Sequence, residues 1–123
     1  MNTPVSFPIA KLLKEKEYKD KNMLGTVRLS EPEYYDPNGI IHNIKDIFEE
    51  KDYEIEDCFN APTIAEVVMW LYEKHGIWIS VGSIDDSTIF RHCFSNIDFN
   101  SPTEAYEAAI EYVLENLLTV NLK

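Results

Sequence analysis

The reading of APTIAEVVMWLYEKHGIWISVG, residues 61–82, decides the fold, because it holds a helix start, a long apolar stripe and a switch to strand periodicity. Thr63 is placed to cap a first turn with its side-chain oxygen. Glu66, three residues on, reaches back to the Thr63 amide, a capping box that Pro62 precedes. The helix therefore starts at Thr63 or Ile64. Ile64, Val67, Val68, Leu71 and Tyr72 recur at three-and-four spacing, which lays them along one side of a helix and demands that this side be buried. Gly76 suits the left-handed conformation that ends a helix, and His75 suits the negative end of the helix dipole.

From Ile77 the period becomes two. Ile77, Ile79 and Val81 alternate with Trp78, Ser80 and Gly82, which predicts a strand with one face on the core. Thr88–Phe94 is rich in β-branched and aromatic residues and predicts the return strand of a hairpin around Asp85 and Asp86. With those two as the loop, Val81 faces Phe90, Ile79 faces His92 and Ile77 faces Phe94, while Trp78, Ser80, Arg91 and Cys93 share the opposite face. Asp-Asp is a poor two-residue turn, since both positions of the favoured turn need positive φ. A slip of one residue would exchange the faces.

Working outward, Ser101-Pro102-Thr103-Glu104 is a second capping box with proline at the first helical position. Tyr106, Ala109, Ile110, Val113, Leu114 and Leu117 form the buried side of that helix, and Glu104, Glu107, Glu111 and Glu115 line the other. Toward the N-terminus, Ser6 caps a helix that ends near Glu17 or Tyr18, with Ile9, Leu12 and Leu13 on the core and Lys11, Lys14 and Glu15 in water. Residues 1–5 read as a flexible end. Leu24–Leu29 and Glu33–Asp36 look extended, and Asp36-Pro37-Asn38-Gly39 is a strong turn with strands on either side. Ile40–His42 is the return strand, followed by a short helix from about Asn43 to Lys51; the rival reading is helical spacing through Ile40, Ile41, Ile44, Ile47 and Phe48. Residues 49–60 form an acidic connecting loop, with Tyr53 and Ile55 as its expected anchors.

Leu13-Lys14-Glu15-Lys16 and Leu71-Tyr72-Glu73-Lys74 each close a helix that begins with Ile-Ala, a faint echo of one helix, strand, strand unit used twice. The expected fold is thus a single α+β domain over 1–123. A small antiparallel sheet of about four strands carries helices on one face, in the order α-β-β-α-β-β-α.

The chain of 123 residues carries 22 acidic against 11 basic side chains, a net charge of −11. Residues 1–21 are at +2 and residues 22–123 at −13, so the acidity belongs to the body. That balance opposes direct binding to nucleic acid or to an anionic membrane. No apolar run approaches the roughly 20 residues of a membrane helix. The two cysteines, Cys58 and Cys93, lack metal-ligand spacing, and no secretory signal opens the chain, so a reducing cytoplasm is expected.

Ala61-Pro62-Thr63, Trp70-Leu71, Glu73-Lys74-His75, Ile77 and Ile79, with Ser101-Pro102-Thr103-Glu104-Ala105, Ala109 and Ile110, resemble a pattern in small uncharacterised proteins from phages and mobile elements of gut bacteria. The resemblance covers the second half of the chain and implies a phage or prophage setting. It carries no activity to transfer to any residue.

His42, His75 and His92 form no metal-ligand arrangement, and no cofactor or metal is expected. Asp46, Glu49 and Lys51 give the D…ExK lettering of some metal-dependent nucleases, a pattern that a charge-dense acidic segment produces by chance. No phosphate loop, nucleophile elbow or dinucleotide fingerprint is present. Two features favour binding over catalysis. Trp78 with Arg91 on an uncovered sheet face belongs to the residue types enriched at interface hot spots. Glu104, Glu107, Glu111 and Glu115 form a row that suits a basic partner. The expectation is a non-catalytic module that binds a host or phage protein or self-associates. The alternative is a small enzyme or ligand-binding domain, which requires a concave pocket holding His42 or His92 with a carboxylate nearby.

Overall fold

The computed structural model describes residues 3–16, 23–24, 27–28, 33–84 and 89–118. They gather into two compact units, Pro4–Pro62 and Thr63–Lys123 with Met1–Thr3.

In the first unit, helix α1 (Phe7–Glu15) carries Pro8 in its first turn, where a missing amide costs nothing, and buries Ile9, Ala10 and Leu13. It stops short of the expected Glu17 or Tyr18, which lie outside the described residues. Lys14, expected in water, instead donates from Nζ to Glu56 O at 2.7 Å and to Cys58 O at 3.3 Å, 4.6 Å above the Phe59 ring. Its cation thus finds two carbonyls and a π face. Of the expected flexible end, Met1 and Asn2 lie outside the described residues, whereas Val5 is buried and its amide bonds to Pro62 O at 2.9 Å.

Strands β1 (Met23–Leu24) and β2 (Val27–Arg28) pair antiparallel. Strand β3 (Glu33–Tyr35) runs into the turn at Asp36–Gly39, where Gly39 takes a φ of 86°, and returns as β4 (Ile41–Asn43) with Tyr34 opposite His42. A single 3₁₀ turn, Ile44–Asp46, follows, capped by Asn43 Oδ1, which accepts from the Lys45 amide at 2.9 Å. Ile47 is buried while Ile40, Ile41 and Phe48 are exposed, so these residues never form one helical face. The segment expected as an acidic loop anchored by Tyr53 and Ile55, 49–60, contains a 3₁₀ turn, Ile55–Asp57, and a strand, β5 (Phe59–Asn60), on the other edge of β3. Its apolar residues anchor it: Cys58 joins Tyr34 and Ile47 in a core flanked by Ile44, Tyr53 and Ile55, and Phe59 packs edge-on to Phe7.

In the second unit, helix α2 (Ile64–His75) forms both halves of the capping box at Thr63 and ends on Gly76 at a φ of 69°. Ile64, Val67, Val68 and Leu71 are buried. Tyr72, expected with them, stands at the margin of the stripe and is 52% exposed. Strands β6 (Val81–Ile84) and β7 (Ile89–His92) pair with Val81 opposite His92 and Ile84 opposite Ile89. The connection is therefore residues 85–88, which include Asp85 and Asp86 and lie outside the described residues, and the register differs by two from the expected one. An even shift preserves the faces. Arg91 lies opposite Gly82, and the Cys93 amide bonds to Ser80 O at 3.1 Å, continuing the same register.

Helix α3 (Pro102–Tyr112) packs on α2 and on both hairpin strands, then passes into a π-helical turn, Val113–Leu117. Each π-helical bond spans one residue more than an α-helical one. The next core position accordingly falls on Leu118, buried at the close of the turn, and leaves Leu117 only half-buried.

Among the described residues the class is α+β with three α-helices. The described strands form one three-stranded ladder, β4-β3-β5, and two antiparallel pairs, rather than one four-stranded sheet. β3 takes both neighbours from its own unit because β5, two residues long and hidden in an acidic run, occupies its second edge. No helix of the described residues is long and apolar enough to cross a membrane.

Candidate functional site

The Asp36 turn builds a site in the first unit. Asp36 Oδ1 accepts from the Asn38 amide at 2.8 Å and the Ile40 amide at 3.0 Å, and Oδ2 lies 2.8 Å from His42 Nε2. Burial alone would push this carboxyl up, but the bonds from His42, Ile40 and Asn38 outweigh it and hold it below its ordinary value. Facing a carboxylate, Nε2 must carry the proton and donate. His42 Nδ1 has no partner among the described residues.

Direct opposition of Tyr34 and His42 in the β3–β4 pair stacks their rings, with centroids 5.3 Å apart and planes 21° from parallel. Tyr53 closes on the same place from 49–60. Its hydroxyl lies 2.8 Å from that of Tyr34, and its ring centroid 5.8 Å from that of His42. Burial raises both tyrosine pKa values, Tyr34 further through its bond to Tyr53. The pair thus holds two hydroxyl protons and one mutual bond, so one proton has no acceptor among the described residues.

The three rings line a cleft of about 250 Å³ together with Asp46, Glu49, Glu50 and Asp52, all four exposed. Lys51 also lines it, but its Nζ donates to Asp46 O and, at 2.7 Å, to Glu49 O, so the ammonium closes off the end of the preceding turn. The D…ExK residues therefore meet at one cleft with the lysine turned to backbone carbonyls. Among the described residues no three His, Cys, Asp or Glu side chains stand ready to hold a metal ion.

The other candidates lie in the second unit. Trp78 is 55% exposed and meets Tyr72 edge to face at 5.4 Å, with Met69 exposed one turn earlier on α2. Arg91 Nε lies 2.5 Å from Asp98 Oδ1, both side chains part-exposed. The glutamate row is not uniform. Glu104 accepts from the Asn100 amide at 3.2 Å while its own amide donates to Ser101 Oγ, so it serves the helix start; Glu107 is half-buried; Glu111 and Glu115 face water. His75 packs edge-on to Trp70 at the end of α2. His92 is buried against Phe94 and Phe99, its Nδ1 accepts from the Phe94 amide at 3.0 Å, and burial lowers its pKa.

Asp36, Tyr34 and Tyr53 were not among the candidate site residues read from the sequence, which gave Asp36 only as a turn residue and Tyr53 only as an anchor of the acidic connector. A signal existed for the first two: a strong turn over 36–39 in an antiparallel pair places Tyr34 across from His42. Tyr53 stands out as an aromatic in an acidic segment, but that segment has no periodicity, so nothing local announces that it meets Tyr34 and His42. Comparison with protein-family models, curated proteins and solved structures gave no match.

Proposed function

We propose that the chain is a non-catalytic protein-interaction module that binds its partner through the surface of Tyr72 and Trp78. The observation that carries this is the exposure of both rings, 52% and 55%, held edge to face by their own contact. Two large aromatics already fixed against each other lose little freedom on binding, and aromatic residues dominate hot spots for that reason. The partner class is a phage or host protein, a setting supported by the resemblance of 61–79 and 101–110 to phage and mobile-element proteins. Arg91, paired with Asp98, contributes at the rim, and Glu111 and Glu115 add long-range attraction for a basic partner.

The test is crosslinked capture in cells followed by reconstitution with the purified partner. Trp78→Ala should keep the fold and weaken the reconstituted complex about 30-fold or more, the scale of a hot-spot truncation. An unchanged complex overturns this reading.

A second reading, a ligand-binding domain, is favoured by one observation. His42 lies in a cleft beside carboxylates and is itself oriented by a buried one.

A further inference from the structure

We infer that the cleft at His42 and Tyr53 binds an organic ammonium group. This names the ligand class for the ligand-binding reading and rests on it; it is independent of the Trp78 surface. The cleft is small, about 250 Å³, and the charges on its lining side chains are Asp46, Glu49, Glu50 and Asp52 against Lys51. Among the described lining residues four carboxylates outnumber one ammonium, which is itself held by two backbone carbonyls, so the carboxylates set the sign of the field. An anion is excluded by that field.

What separates an organic cation from a bare metal ion is the rest of the lining. The described His, Cys, Asp and Glu side chains do not converge in threes at ligand distance, so no inner sphere is laid out for a divalent ion. The walls between the carboxylates are instead aromatic. Tyr53 and His42 are half-buried rings 5.8 Å apart at 46°, with Tyr34 stacked behind His42. Aromatic faces with nearby carboxylates attract a diffuse ammonium through the ring quadrupole, at about 6 Å or less from the ring centroid.

The fixed polar groups agree in sign. Because Nε2 of His42 donates to Asp36, the other ring nitrogen faces away from that bond and, in the uncharged form of the ring, is an acceptor suited to an N–H donor. The spare proton of the Tyr34–Tyr53 pair provides a single donor, which suits an oxygen carried near the ammonium. Two sources share this chemistry: a free amine, and the side chain of a lysine in another protein.

The experiment is a titration of the full chain followed by backbone and histidine NMR, with cadaverine, Nα-acetyl-lysine methylamide, glutarate and the neutral amide glutaramide as probes. The two ammonium probes should move signals of His42, Lys51 and Tyr53 and saturate, while glutarate and glutaramide leave them in place. The double variant Glu49→Gln, Asp52→Asn should weaken ammonium binding about 10-fold with the spectrum otherwise that of the folded chain. Trp78→Ala should leave it unchanged. Tighter binding of cadaverine identifies a free amine as the source, and tighter binding of the lysine derivative identifies a lysyl side chain. Saturable binding of glutarate or glutaramide at the same signals overturns the ammonium assignment while keeping a ligand site. Absence of localised shifts with all four probes overturns both. Shifts that follow the whole acidic surface and ignore the double variant also overturn the assignment.

Discussion

Asp36 satisfies three donors with one buried carboxylate, and its charge fixes the proton on His42. Asparagine keeps an acceptor for the two amides but presents its own N–H groups to Nε2–H. Asp36→Asn should therefore cost about 1–3 kcal/mol, the range for disturbing a buried hydrogen bond to a charged group. The pH dependence follows from the sign of the shift. The folded carboxyl lies below its ordinary value of 3.8, so its stabilisation is complete above that value and is lost as pH falls through the lower folded one. Urea denaturation at neutral pH and again near pH 3 should show the wild type losing this contribution and Asp36→Asn losing nothing at this site. Equal acid sensitivity in the two proteins would show that the turn does not depend on the charge. At this scale the sequence was readable for the turn residues, whose backbone demands are local. It was not readable for the partners of Lys14 and Tyr53, which are 42 and 19 residues distant.

The hairpin β6–β7 makes the equivalent point for elements. The alternation of Ile77, Ile79 and Val81 sets which face is buried, and this holds because the actual register differs from the expected one by an even number. The register itself depends on the connection at 85–88, where Asp-Asp offers no strong turn preference. His92 sits on the buried face opposite Val81. Burial depresses this base below its ordinary 6.5, so the folded chain holds it neutral while the unfolded chain takes up a proton first. Stability is then full above about pH 6.5 and falls between there and the lower folded value. His92→Asn places an amide oxygen near the position of Nδ1, where it can still accept from the Phe94 amide, and removes the titration. Denaturation midpoints between pH 7.5 and 5.5 should slope down for the wild type and run flatter for the variant. Parallel slopes would assign the pH dependence to other groups. The starts of α2 and α3 and the end of α2 at Gly76 were the most legible features, since caps and left-handed glycines are local chemistry. The π-helical turn after α3 was not, because an i, i+3, i+4 stripe looks the same until the extra residue moves the core from Leu117 to Leu118.

For the whole molecule the dominant quantity is the charge of −11, and its location decides what it does. Some carboxylates are used by the fold: Asp36 in the turn, Glu66 and Glu104 at helix starts and Asp98 against Arg91. Glu111 and Glu115 lie in water on one side of the last helix. Unbalanced like charge opposes the compact state, and salt screens it over a length of about 10 Å at 0.1 M. Raising sodium chloride from about 10 mM to about 200 mM should therefore raise the thermal midpoint by a few degrees, equivalent to about 1 kcal/mol in a chain of this size. Replacing Glu111 and Glu115 with lysine adds four units and brings the net charge from −11 to −7, and the increment should shrink. Thermal melts across the salt series in both proteins provide the comparison. A midpoint indifferent to salt in the wild type would mean that the acidic surface is already balanced locally, and long-range attraction of a basic partner by Glu111 and Glu115 would lose its physical basis with it.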